Sequence, residues 1–221
     1  MKFSIFSAAG LMILAASFFA YAQAPCKCPP AQDSAATASS DSVFYLESGK
    51  SLILCGNKDV DTKGATFSNF AVRACGQDSV LGFWNESKTC RVGVYRDTLN
   101  VEYLVNLPVG REFGYLPVPL VIDKIFFSRN APKRVTRINP KIRKFTQGEC
   151  LSVVRKYEST PKPITDDLED AINKLFMASI SGNKKAHSLF MDFTKVNPEL
   201  DADSQEQYNE LLMVLGYFRQ K

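Results

Sequence analysis

The chain contains one histidine in 221 residues. That scarcity removes every metal centre built on several imidazoles, including the helical His-Glu-x-x-His pattern of zinc proteases. A Ser-His-Asp triad would have to recruit His187, yet no Gly-x-Ser-x-Gly elbow stands anywhere in the chain. His187 lies close to Phe190 and Phe193 on an expected helix, which suits a surface or partly buried position. Ser159-Thr160-Pro161-Lys162 and Ser181-Gly182-Asn183-Lys184 have the Ser-x-x-Lys spacing of serine acyl-enzymes, but a proline and a glycine break the helix that geometry needs. Gly49-Lys50-Ser51 has the end of a phosphate-binding loop without its beginning, because Phe44 occupies the place of the first glycine. Asn57, Asp59 and Asp61 alternate before Gly64 as calcium ligands do. However, Lys63 takes the fifth place counted from Asp59, and Phe70 the twelfth, where a bidentate glutamate is required. No metal and no cofactor is therefore expected.

Long apolar runs are also scarce: only one is present, and it is at the start. Met1-Lys2 gives a positive end, Phe3 to Tyr21 is apolar or small, and Ala20-Tyr21-Ala22 is a small-x-small cleavage pattern. Residues 1–22 read as a cleaved secretory signal, with Gln23 as the new N-terminus and a secreted or periplasmic destination. No later run approaches the length of a membrane span, so the mature chain is expected to have no transmembrane segment.

All six cysteines follow the cleavage site. An even number in an exported chain favours disulfides. Cys55, Cys75, Cys90 and Cys150 each lie in or beside an expected strand and are the candidates for two bridges within the β region. A direct Cys26–Cys28 bridge would close a small strained ring, which leaves one of them to pair elsewhere or to stay reactive. Their spacing is too short for the usual zinc clamp. Pro25 and Lys27, each standing just before a cysteine, fit poorly with lipid attachment. Asn85-Glu86-Ser87 is a sequon, relevant only in a host that glycosylates exported proteins.

Residues 23–41 are rich in Pro, Ala and Ser without apolar periodicity and read as a disordered linker. Residues 42–160 show about nine short apolar runs punctuated by Gly, Pro, Asn and Asp. They are Val43–Leu46, Ser51–Leu54, Phe70–Cys75, Val80–Trp84, Cys90–Tyr95, Leu99–Val105, Val118–Phe127, Val135–Ile138 with Ile142–Phe145, and Leu151–Tyr157. Residues 163–221 change to helical periodicity. Asp166 caps a first helix with Leu168, Ile172, Leu175, Phe176 and Ser179 on one face, and Gly182 stops it. Asn183 caps a second, with Ala186, Leu189, Phe190 and Phe193 on its stripe, and Asn197-Pro198 ends it. Asp203 or Ser204 caps a third, with Tyr208, Leu211, Leu212, Leu215 and Phe218. The expected class is α+β: an antiparallel β-rich sandwich or partial barrel, followed by a small segment of about three helices.

Charge is unevenly spread. Residues 111–162 carry a net +8, whereas 23–110 carry −1 and 163–221 carry −4. Lys133, Arg134, Arg137, Lys141, Arg143 and Lys144 are the candidates for contact with an anionic surface: a glycan, a lipid head group or an acidic protein. Nucleic acid is not expected outside the cytoplasm. Two simpler readings compete. The cations could guard an edge strand as a solvated face, or receive the acidic helical tail, where Asp166, Asp167, Glu169 and Asp170 lie. With no nucleophile motif or nucleotide loop, the sequence leans towards an exported, non-enzymatic binding or structural module. The alternative is an exported carboxylate-based, glycan-cleaving hydrolase, since two acids leave no local motif.

Overall fold

The structure is a computed structural model that describes residues 26–28, 40–59, 66–77, 79–85, 89–109, 114–160 and 165–219. The expected signal segment, residues 1–22, lies outside these, as does most of the expected linker. Eight strands form one antiparallel sheet: β1 (Ser40–Tyr45), β2 (Ser51–Asp59), β3 (Thr66–Ala74), β4 (Val80–Trp84), β5 (Cys90–Tyr95), β6 (Thr98–Pro108), β7 (Tyr115–Ser128) and β8 (Ala131–Ile138). The ladder runs β1-β2-β3-β5-β6-β7-β8, and β4 branches off to pair with β3. Among the described residues five helices follow: α1 (Gln147–Ser159), α2 (Thr165–Ile180), α3 (Lys184–Met191), α4 (Phe193–Val196) and α5 (Ala202–Arg219). The class is the α+β arrangement expected.

The sheet curls so that one face encloses a core and β4 comes up against β8. Leu52, Leu54, Phe67, Phe70, Val72, Cys90, Val92, Leu99, Val101 and Ile125 fill that interior. Within each strand they recur at every second residue, as inward-facing positions must, except between Phe67 and Phe70, where the β2–β3 register shifts. Gly56 is opposite Phe70, and a Cβ there would overlap Phe70 and the Asn69 carbonyl, so this crossing requires glycine. The β7–β8 turn is two residues, Arg129 and Asn130, both at positive φ (51° and 66°), which matches the turn geometry favoured by twisted hairpins.

β6 and β7 are the longest strands, and a bulge between Tyr103 and Leu104 divides their ladder. Before it, Leu99↔Ile125 and Val101↔Asp123 face the sheet interior. The extra residue then shifts the inward side of β7 from odd to even positions, as a bulge does. Beyond it, Val105, Leu107 and Leu120 join Ile138 in a second core shared with the helices. α2 supplies its centre, with Ile172, Leu175, Phe176, Met177 and Ala178 fully buried.

Several sequence expectations need correction. Leu151–Tyr157 is not a strand but part of α1, and Ile142–Phe145 is an extended connection without ladder pairing. α1 is started by a capping box: the Thr146 side chain accepts from the Glu149 N–H, and the Glu149 carboxylate accepts from the Thr146 N–H. The expected second helix is two, split at Asp192, and with α1 added the helices among the described residues number five. The third expected helix is capped by Asp201, whose carboxylate accepts from the Ser204 N–H and hydroxyl, and not by Asp203 or Ser204. Asn183 caps α3 as expected, accepting from the Ala186 N–H. Asp166 is not the cap of the first expected helix, because α2 already starts at Thr165 and Asp166 lies in its first turn; its side chain lies outside the described residues.

The disulfides also differ. Cys26 bonds Cys75 and Cys28 bonds Cys55, while Cys90 and Cys150 remain buried thiols. Cys55 shares its side of β2 with Ser51 and Ile53, away from the interior, and the segment around Cys26 reaches it there. Cys90 faces the sheet interior and Cys150 the helical core, so the two thiols belong to different cores. Both cysteines of the Cys26/Cys28 pair bond elsewhere, which fastens the start of the expected linker to the sheet.

Candidate functional site

The six candidate cations do not form one patch. Register sorts them. Lys133, Val135 and Arg137 alternate along β8 on the outer face, and their partners on β7 are Phe126, Lys124 and Ile122. Lys133 and Arg137 are exposed, and Lys124 joins them half-buried. Each cation thus stands across from an apolar side chain, giving a checkerboard of charge and hydrocarbon. Among the described residues no carboxylate pairs with these three. The acid nearest along this row, Glu102 on β6, is held by Arg91 at 2.6 Å. A shallow depression of about 420 Å³ opens here, bounded by Ile122, Lys124, Arg137, Pro140 and Tyr217.

Three of the six act within the fold. Arg143 pairs with Glu149 and lies 5.7 Å from the Phe145 ring centroid. Lys144 donates to the Ile180 carbonyl at 2.8 Å, a cation at the C-terminus of α2 where the helix dipole favours it, and lies over Phe218. Arg134 belongs to the opposite face of β8. Lys141 is exposed, and its backbone N–H donates to the Asn139 side chain. Neither arginine pair involves the acids at the start of α2: Arg134 bonds Asp123 and Arg143 bonds Glu149.

Arg134 leads to a site that sequence reasoning missed. Its guanidinium donates to Asp123 at 2.7 Å and lies 4.6 Å from the centroid of the Trp84 ring. Trp84 Nε1 donates to the same carboxylate at 3.2 Å, and the Thr136 hydroxyl donates to its other oxygen. Asp123 is only 5% exposed, so these three donors provide the partners its desolvated charge requires. Phe70 stacks on Trp84 at 4.9 Å between centroids, with 8° between planes. Gly82 makes room: a Cβ there would overlap the Trp84 ring and approach Arg134.

This network forms one wall of a cleft of about 380 Å³ between β4, β7, β8 and α5. α5 supplies Glu210, Met213 and Tyr217 to the other wall, and Tyr103 spans the base, its hydroxyl donating to Glu210. Burial, the Glu210 hydrogen bond and the Glu210 charge all push the Tyr103 hydroxyl far above its ordinary pKa, so it acts as a donor and not as an acid. Asp123 and Glu210 thus share one cleft. The lone pairs of Asp123 are directed at three protein donors, an arrangement suited to rigidity and recognition more than to attack on a substrate carbon.

His187 is half-buried on α3, with Nδ1 2.8 Å from the Ser179 hydroxyl. Among the described residues, no three His, Cys, Asp or Glu side chains converge as metal ligands, and no helix is long and apolar enough to cross a membrane. Compared with protein families, curated proteins and solved structures, the chain matches none.

Proposed function

We propose that the chain is an exported, non-enzymatic binding module that meets an anionic surface through the outer face of β7 and β8. The observation that carries this reading is the checkerboard: Lys124, Lys133 and Arg137 interleaved with Ile122, Phe126 and Val135 on one face. Cations used for internal pairing stand beside acids, as Arg134 and Arg143 do. Cations set among hydrocarbon present both charge and an apolar footing to a partner. Export is supported by the signal-like start and by two disulfides, which persist in oxidising compartments. N-terminal sequencing of the mature protein is expected to begin at Gln23.

The test is retention on heparin-agarose and co-sedimentation with vesicles rich in phosphatidylglycerol, run side by side to separate glycan from lipid. Binding should weaken as salt shortens the screening length from about 10 Å at 0.1 M to about 3 Å at 1 M. Reversing Lys124, Lys133 and Arg137 to glutamate should abolish it with the fold intact. Unchanged retention by that variant would reduce the face to a solvated guard on the edge strand β8.

A further inference from the structure

We propose that the cleft between α5 and the β4–β8 seam is a second binding site, for a neutral saccharide, adjoining the basic face at Tyr217. Its volume, about 380 Å³, lies within the roughly 300–1,000 Å³ of small-molecule sites. Its rim carries aromatic surface the fold does not bury: Phe83 is 62% exposed and Tyr217 39%. Met213 stands between α5 and solvent beside them at 53%. Flat apolar faces at a cleft mouth suit the C–H faces of a sugar ring, which stack on aromatic rings while the hydroxyl edge reaches polar groups.

The charge pattern selects against ionic ligands. Arg134 stands on one wall and Glu210 on the other. A small anion seated here faces Asp123 and Glu210, and a small cation finds Asp123 already paired with Arg134 and Glu210 already taken by the Tyr103 hydroxyl. A ligand that carries donors and acceptors without net charge meets neither penalty, and the several hydroxyl groups of a sugar ring do this. The wall is also pre-organised. Trp84 is stacked on Phe70 and bonded to Asp123, and Arg134 is fixed on Trp84, so little ordering remains to be done on binding.

Trp84 is the only tryptophan of the chain, so its fluorescence reports on this cleft alone. The disulfide-intact protein is titrated with cellotriose, triacetylchitotriose, maltotriose and xylotriose, and in parallel with tetramethylammonium and acetate. At least one trisaccharide should change Trp84 emission saturably. Phe83→Ala and Tyr217→Ala should each weaken that affinity by tenfold or more. Both side chains are exposed, so the variants should fold, with circular dichroism as the check. Tyr217→Phe should bind nearly as the parent does. The glutamate reversal at Lys124, Lys133 and Arg137 should leave the Trp84 titration unchanged, which separates this site from the basic face. The proposal is overturned if no trisaccharide gives a saturable response, if the ions saturate the signal and the sugars do not, or if Phe83→Ala and Tyr217→Ala bind as the parent.

Discussion

The guanidinium of Arg134 on β8 lies 4.6 Å from the centroid of the Trp84 ring on β4, joining two strands that share no ladder among the described residues. Side chains, not backbone hydrogen bonds, close the curled sheet at this seam, and Asp123 sits beneath them as their common acceptor.

Arg134→Ala should therefore destabilise the protein. Removing one partner of a buried ion pair costs about 3–5 kcal/mol. Arg134 keeps 37% of its side chain in solvent, so a loss of about 2 kcal/mol is expected in urea denaturation. The Trp84 emission should shift to the red as water reaches the ring. A variant within about 0.5 kcal/mol of the parent, the ordinary range of surface changes, would mean that the seam does not need the pair.

Glycines in the sheet should differ sharply in tolerance. Gly56→Ala drives a Cβ into Phe70 and backbone, and overpacking of that kind costs about 1–3 kcal/mol. Gly93→Ala meets nothing within 4 Å and should be close to neutral or stabilising. Thermal denaturation of the two variants decides it, and equal melting temperatures would contradict the packing described.

Thiol chemistry gives a third expectation. Without reductant, the folded protein should resist alkylation, because Cys90 and Cys150 are buried. The unfolded, unreduced protein should take up label at those two alone. Replacing Cys28 and Cys55 together by serine should cost about 2–5 kcal/mol. Peptide maps that join Cys55 to Cys75 would refute the pairing.

The fourth concerns acid. Glu149 is held below the usual carboxylate range by the Thr146 N–H and by Arg143, and Asp201 by the Ser204 N–H. A lowered folded pKa means that the unfolded chain binds protons first as pH falls. The stabilisation is complete above the unfolded value, about 4, and is lost as pH drops through the folded one. Thr146→Ala should cost about 1 kcal/mol at neutral pH. Glu149→Gln should make the acid loss shallower when unfolding is followed from pH 6 downward. An unchanged slope would show that the box does not titrate with folding.

Local pattern carried much of the architecture. Val80–Trp84 and Cys90–Tyr95 are strands to the residue, and the stripe Leu168, Ile172, Leu175, Phe176 is buried as its spacing demands. Leu151–Tyr157 misled because Leu151, Val153, Val154 and Tyr157 suit a strand as well as a helix. The deciding signal was upstream, in Thr146-x-x-Glu149, a capping box as legible as any other. The disulfide pairing had no local sign, although Cys90 alternates with Val92 on β5 and so was bound to face the interior. The cleft was illegible for a different reason. Trp84, Asp123, Arg134 and Glu210 come from four elements, and only the curl of the sheet brings them together.

Cys26 and Cys28 leave the ribosome before either of their partners. An oxidase that joined thiols in order of appearance, despite the strain of the small Cys26–Cys28 ring, would make Cys26–Cys28 first and Cys55–Cys75 next, and neither is a native pair. Maturation by that route would require mixed-disulfide exchange. Recombinant yield should accordingly depend on an isomerase or a glutathione redox buffer, and not on oxidising strength alone.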